Sequence, residues 1–482
     1  MRQVPLRTGI AVSTLALATA VAMLAIPGTA FGQAFGVTDP GVRSGPAGAG
    51  GPLPGLGDIT VNSSDVPEVQ FFNAAMQRFG EVDSVLPPGT PGHLDDAPLG
   101  RQQGGGLGPG FNGNSCEQCH AFPAVGGSSG TVNPQVALAT LDGARNSVPS
   151  FISANGPIRE ARFINVPGTL TPDGGVHDLF TIAGRSDAQG CNATQPNFTL
   201  AVAEGNVIFR IPIALFGDGL VEGTADNVLL ADSQNAPNAA PNGVTTGVFN
   251  HSGNDGTITR FGWKAQNKSL LVFAGEAYNV EQGVTNDMFP NERNTTSGCQ
   301  FNQLPEDSTV ISVPPPNTAT TPSGYAFSDL SSDIVNFAAF SRLLAAPTPA
   351  APTAATIQGE AEFINVGCAA CHVTSHTSGS SIYTNQSNAA FSPFSDFALH
   401  NMGLLLGDGV SQGQAGGFEF RTAPLWGVGQ RTFFLHDGRT SNIVTAIEDH
   451  ASFGSEANFV IGNFNRLSAT NQQDVVDFLR SL

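Results

Sequence analysis

Positive charge is scarce in this chain: 20 Lys and Arg stand against 39 Asp and Glu in 482 residues, a net charge of −19. Such a balance offers no face to nucleic acid or to an anionic membrane surface. A basic electron carrier could be steered to it, although an acidic surface also simply keeps a protein soluble. Long apolar runs are missing after residue 26, so no stable membrane span is expected in the body of the chain. The one such run, Ile10 to Ile26, follows Met1-Arg2 and Arg7 and leads into Pro27-Gly28-Thr29-Ala30-Phe31-Gly32. Positive start, apolar middle and small-residue exit form the pattern of a secretory signal peptide over residues 1–32, with an uncleaved anchor as the alternative. A periplasmic or secreted location follows. Arg2 and Arg7 would leave with the signal, which moves the net charge to −21.

Cysteine is rare too, six in all, yet four of the six fall into two copies of one pattern. These are Cys116-Glu117-Gln118-Cys119-His120 and Cys368-Ala369-Ala370-Cys371-His372. A Cys-x-x-Cys-His run is the attachment signature of c-type haem. Two thiols one turn apart can add to the two vinyl groups of one porphyrin, and the next histidine is then held as an axial ligand of the iron. A redox Cys-x-x-Cys pair or half of a zinc site needs no histidine there, and two chance copies in six cysteines are not credible. Two covalently bound haem c groups are therefore expected, on Cys116, Cys119 and His120 and on Cys368, Cys371 and His372. Cys191 and Cys299 remain, and in an oxidising compartment they most simply pair with each other.

Residues 33–65 read as a flexible Gly/Pro-rich lead-in. Helical periodicity begins at Val66 and runs to about Phe79. Residues 121–200 read as loops and short strands around the first motif, and Val207 to Glu222 as a buried apolar segment beside a Gly turn. A helix is expected to begin at Thr259 and run to Tyr278, and another to span Leu330 to Leu344. Ala345 to Ala355 is the clearest linker. It separates an N-terminal haem domain with insertions, 66–344, from a C-terminal cytochrome-c-like domain, 356–482. The second domain should hold helices over Gln358 to Val366, Ile443 to His450 and Ala469 to Leu482, the last capped by Ser468. The expected fold is mainly α: two cytochrome-c-like haem domains, with long loops and short β elements inserted in the N-terminal one.

Beyond the motifs, His400-Asn401-Met402-Gly403, Ala423-Pro424-Leu425-Trp426-Gly427, Phe434-Leu435-His436-Asp437-Gly438-Arg439 and Ala446-Ile447 before His450 stand in order. Together they resemble the bacterial di-haem oxidoreductase family of peroxidases and thiol oxidoreductases. More distantly, the chain is similar to bacterial cytochrome c peroxidases and MauG-type di-haem enzymes. The resemblance implies a six-coordinate, electron-accepting C-terminal haem whose second ligand lies fourteen residues beyond His436, at His450. Met402 is the rival ligand and His400 a third; otherwise Met402 packs on the porphyrin edge. His436 is expected to orient a loop, and Arg439 is a candidate partner for a haem propionate.

At the first motif the resemblance is informative by what is missing, since no histidine occurs from Ala121 to Val176. An open iron face, able to take peroxide or dioxygen, is implied, with His177, His93 and His251 as candidate closing ligands. Arg260-Phe261-Gly262-Trp263 looks like the group's segment whose tryptophan stands between the haems. Glu281-Gln282-Gly283 looks like its distal carboxylate segment, with Glu276 as the alternate. The catalytic candidates are thus Trp263 and Glu281. A carboxylate there can take a proton from peroxide and return it to the leaving oxygen. The leading expectation is a di-haem peroxidase-type oxidoreductase acting on peroxide or another small oxidant, with a redox partner protein possible. A non-enzymatic electron carrier and a di-haem oxygenase are the alternatives. Related enzymes hold a calcium ion, but no loop is dense enough in carboxylates to support one here.

Overall fold

Phe72, Ala75 and Phe79 recur at helical spacing along the Glu68–Phe79 helix and face inward. Their rings meet Phe340 of the Asp333–Leu343 helix at 5.5 Å from Phe72 and 4.7 Å from Phe79. This helix pair is the centre of one apolar cluster, joined by Tyr278 from the Leu270–Glu281 helix. The computed structural model describes residues 36–44, 50–61, 64–86, 102–173, 180–234, 247–294, 296–300, 305–309 and 331–482. The signal-like segment, His93 and His177 lie outside the described residues. Among the described residues, Val37–Leu482 fold as one compact unit; of the other unit, Met1–Gly36, only Gly36 is described.

The fold is mainly α, with thirteen α-helices and seven two-stranded β pairs among the described residues. Among the described residues the two longest β pairs are antiparallel and equal in length, Glu160–Phe163 against Val207–Arg210 and Asp58–Val61 against Ser64–Pro67. Around the second motif, Phe363 and Phe478 pack at 5.5 Å where the Ala354–Val366 helix lies on the Ala469–Ser481 helix. Gly359 permits that closeness, since a Cβ there would meet the Asp474 carbonyl oxygen at 1.9 Å. Ser468 caps the last helix by accepting from the Asn471 N–H, as its sequence position suggests.

The helix expected from Thr259 instead starts at Leu270. Ser269 caps it by accepting from the Val272 N–H at 3.2 Å. Residues 260–267 form a tight loop, with the Phe261 N–H and the Asn267 N–H each bonded to the other residue's carbonyl and Ala265 in the left-handed region at φ 50°. That loop puts Trp263 and Lys264 into the interior. Between the two motifs' surroundings, the Ala350 N–H donates to the Ser481 carbonyl and the Ala345 N–H to Gly51. Within residues 37–58, Asp39 is ion-paired with Arg480 at 2.6 Å. Cys191 and Cys299 form the expected disulfide. In the chain-entropy account, closing so long a loop stabilises the fold by about 4–5 kcal/mol.

Asp408 bridges two buried cations, Arg210 at 2.8 Å and Lys264 at 2.9 Å. Burial pushes the Asp408 carboxyl up, but the two cations more than offset it and hold the group below its ordinary range. A depressed carboxyl contributes stability above its unfolded pKa and loses it as pH falls. Asp408→Ala leaves two unpaired buried cations and is expected to cost about 3–5 kcal/mol in urea unfolding at neutral pH. The difference from the unsubstituted protein should shrink as the solution is acidified.

Candidate functional site

Each Cys-x-x-Cys-His run lies in the wall of its own cavity. In the first, the short Cys116–Cys119 helix turns the chain so that the His120 N–H bonds back to the Cys116 carbonyl. His120 Nδ1 lies 3.0 Å from the Gly127 carbonyl. That contact fixes the tautomer with the proton on Nδ1 and leaves Nε2 as a lone-pair donor. Burial pushes the imidazole down to about 4, so it is neutral. The second motif repeats the arrangement: the His372 N–H bonds to Cys368, Nδ1 is 2.9 Å from the Phe394 carbonyl, and burial takes the ring to about 4.

The four motif thiols are unpaired. Burial pushes Cys119 and Cys368 up to about 12, and Cys116 and Cys371 also rise. Reactive Cys-x-x-Cys pairs work the opposite way, with a lowered thiol pKa. No third or fourth side chain completes a metal-holding group of His, Cys, Asp or Glu with either motif among the described residues.

The first cavity, about 1260 Å³ with its mouth counted, places Cys116, Cys119 and His120 in one wall with Trp263, Glu276 and Glu281. His120 is the one histidine among the described residues lining it. The Leu270–Glu281 helix ends against the first motif, because the Asn112 and Gly113 N–H groups both donate to the Glu281 carbonyl. Gly108 and Gly283 make this closeness possible: a Cβ on Gly108 would lie 2.6 Å from the Gly283 Cα. Asn112 Nδ2 donates to the Glu281 carboxyl at 2.8 Å, and Glu160 lies in hydrogen-bond contact with it. Burial first, then the Glu160 charge, hold the Glu281 carboxyl well above its ordinary range. Arg162 pairs with Glu160 at 2.9 Å. Glu276 accepts from Asn267. Gln135, Gln266 and Gln282 each leave a side-chain oxygen without a partner in this wall.

The second cavity, about 1410 Å³ with its mouth counted, is lined by Cys368, Cys371 and His372 together with His400, Met402, His436 and His450. His450 carries the same signature as the motif histidines, with Nδ1 2.7 Å from the Ala446 carbonyl. It is also near enough for its charge to lower the His372 pKa. His400 differs, since both nitrogens are engaged, by Glu456 at 2.8 Å and Asp396 at 3.0 Å. Met402 packs with Trp263 and Phe420. Arg439, expected near a propionate, is instead held by Asp437 at 2.9 Å and by the Leu405 carbonyl. Arg431 lines the cavity, with two guanidinium nitrogens buried and unpartnered, and burial lowers it to about 10. An orphaned buried cation in an apolar cavity is what a carboxylate-bearing macrocycle would satisfy. The thiols, the His120 and His372 imidazoles and Arg431 all fit haem.

One side chain belongs to both cavities. Trp263 lines each of them, its Nε1–H donating to the Ile211 carbonyl at 3.0 Å. The His436 ring stands 6.3 Å from Trp263 and stacks on Phe420 at 4.4 Å. His251 sits outside both, bonded to Gly256.

A family model described as "Di-haem oxidoreductase, putative peroxidase" matches residues 171–482. The chain belongs to this di-haem oxidoreductase family. The matched span holds Trp263, Glu281, the second motif and His450, while Cys116 to His120 lie before it. No curated protein matches the chain.

Glu160, Arg162 and Arg431 escaped the sequence reading. Glu160 and Arg162 alternate along a strand, which places both on one face, and that period was a usable signal. Arg431 carried none, because its role depends on a missing counter-charge. Because Glu281 is buried beside Glu160, it should remain protonated at neutral pH. An infrared carbonyl band of a protonated carboxylic acid is expected in the wild type and should vanish in Glu281→Gln.

Proposed function

We propose that the protein is an exported di-haem peroxidase, in which the two motifs would each hold a c-type haem, with His120 as the iron-holding residue in the first cavity and His372 and His450 in the second. Electrons enter at the second cavity, pass Trp263 and reduce peroxide in the first. The observation that carries this reading is Trp263 standing in both cavity walls. Bound haem supplies an iron able to store and pass single electrons and, where a face is open, to engage an oxidant.

The protein's own part is positional and protonic. In the first cavity Glu281 holds a proton, Asn112 orients its carboxyl, and Glu160 lies in hydrogen-bond contact with it. Together the two carboxyls can take a proton from peroxide and return one to the leaving oxygen, so that two protons and two electrons yield two waters. The three unpartnered amide oxygens keep this wall suited to a small polar oxidant. In the second cavity His450 offers a free Nε2, whereas Asp396 and Glu456 occupy both nitrogens of His400. That difference favours His450 over His400. Its nearness to His372 favours it over Met402, which is packed into the Trp263 cluster.

The test is a resting ferric absorption and EPR spectrum of the haem-loaded protein, repeated after hydrogen peroxide. One high-spin and one low-spin haem with a rapid peroxide-dependent change are expected. Glu281→Gln should slow that change by a factor on the order of 10² to 10⁴, the usual worth of a positioned acid–base group. His450→Ala should abolish the low-spin signal. Two low-spin haems indifferent to peroxide, even after one-electron reduction, would leave an electron carrier only.

A further inference from the structure

His450 is carried at the end of the Ile443–Glu448 helix. Its N–H bonds back to the Ile447 carbonyl and its Nδ1 lies 2.7 Å from the Ala446 carbonyl, so the ring moves with the helix. At the other end, the first-turn amides have no earlier turn to accept them. Asn442 accepts from the Thr445 N–H at 3.0 Å, a local cap. The Ile443 N–H finds a remote partner: it donates to Oδ2 of Asp39 at 2.8 Å, across 404 residues of chain.

The same carboxylate takes Arg480 in a fork, Nε to Oδ1 at 2.7 Å and Nη2 to Oδ2 at 2.6 Å. Both side chains are buried, Asp39 at 6% and Arg480 at 5% exposed. Arg480 turns its remaining nitrogen, Nη1, to the carbonyls of Gly429 at 3.3 Å and Arg431 at 3.1 Å. Its guanidinium also covers the Phe434 ring, 5.0 Å from the centre. Arg431 and Phe434 both line the second cavity, and Arg431 is the cation with unpartnered nitrogens there. The segment around Asp39 is tied down separately. Thr38 exchanges two bonds with the Gln473 side chain at 2.9 and 3.0 Å, and the Arg43 N–H donates to the Gly429 carbonyl at 2.8 Å. Without Asp39, Arg480 would keep two carbonyls and lose its counter-charge, a costly state for a buried cation.

We propose that Asp39 is a positioning residue of the second site. Through Ile443 it sets the helix that presents His450, and through Arg480 it sets the turn that presents Arg431. The proposal rests on the reading that His372 and His450 hold the iron of the second cavity. It brings into that site a segment, residues 37–43, that lies outside the span matched by the family model. A carboxylate suits the duty, because it accepts at both oxygens and its fork with arginine fixes direction as well as charge. An amide of the same shape accepts at one atom only.

The test is the resting ferric EPR spectrum of the haem-loaded protein, with amide hydrogen exchange over residues 443–450 as a second readout. Neither requires turnover. Asp39→Asn should shift or broaden the low-spin signal and speed exchange over that helix roughly tenfold, as loss of a hydrogen bond to a charged group does. Asp39→Glu keeps both acceptors on a longer stem and should fall between Asp39→Asn and the wild type. It is the variant to read if Asp39→Asn does not fold. Gln473→Ala loosens the same segment away from Asp39, and it should lower thermal stability while leaving the low-spin signal as in the wild type. A low-spin signal unmoved by Asp39→Asn, or moved equally by Gln473→Ala, would overturn the proposal. His450→Ala separates this failure from that of the underlying reading. If it leaves the low-spin signal intact, His450 does not hold the iron, and the role of Asp39 falls with it.

Discussion

Asp408 holds the interior in register. Its two carboxyl oxygens take Arg210, at the end of one strand, and Lys264, in the loop after Ile258–Thr259. The neighbours of those two cations are Ile211 and Trp263, and they are bonded to each other through the indole N–H. One ion cluster therefore fixes both the tryptophan and the carbonyl that orients it. Lys264 also lies 4.0 Å from the centre of the Phe420 ring, and Phe420 stacks on His436. The wall between the cavities is built outward from a single carboxylate. Such a cluster is costly to desolvate, and its contribution is better understood as placement than as net stability.

A second device recurs at three histidines. His120, His372 and His450 each direct Nδ1 at a backbone carbonyl, of Gly127, Phe394 and Ala446. A backbone carbonyl selects the tautomer without adding a charge, so the free nitrogen is a neutral donor held at a fixed angle. His400 has two carboxylates instead, and Cys371 and Asp396 outweigh burial in raising its pKa well above the ordinary value. Engaged at both nitrogens by carboxylates, it is held in place as a structural ring. The four rings have the same composition, and only their partners separate donors from props.

The two Cys-x-x-Cys-His runs were legible in the sequence because the pattern is local, five consecutive residues that need no fold to be recognised. The mainly α character was equally plain in the periodic runs Glu68–Phe79, Asp333–Leu343 and Ala469–Ser481. The helix start at Leu270 was not, since the apolar residues Phe261 and Trp263 suit a helix as well as a buried loop. Gly262 and Ala265, at positive φ, and the Ser269 cap decided between them. Arg431 and Glu160 were invisible for another reason. Each matters through a neighbour far away in sequence, or through the lack of one, and a single sequence records neither.

Six cysteines in one chain meet two fates. Cys191 and Cys299 join to each other, while Cys116, Cys119, Cys368 and Cys371 form no disulfide. Six free cysteines can pair fully in 15 ways, so random oxidation would mostly scramble the chain. Burial in the folded protein suppresses the thiolate at the four motif positions, and thiolate is the species that attacks a disulfide. Burial thus sets the four motif sulfurs apart from the pair that is joined, each run keeping its two sulfurs beside its own histidine.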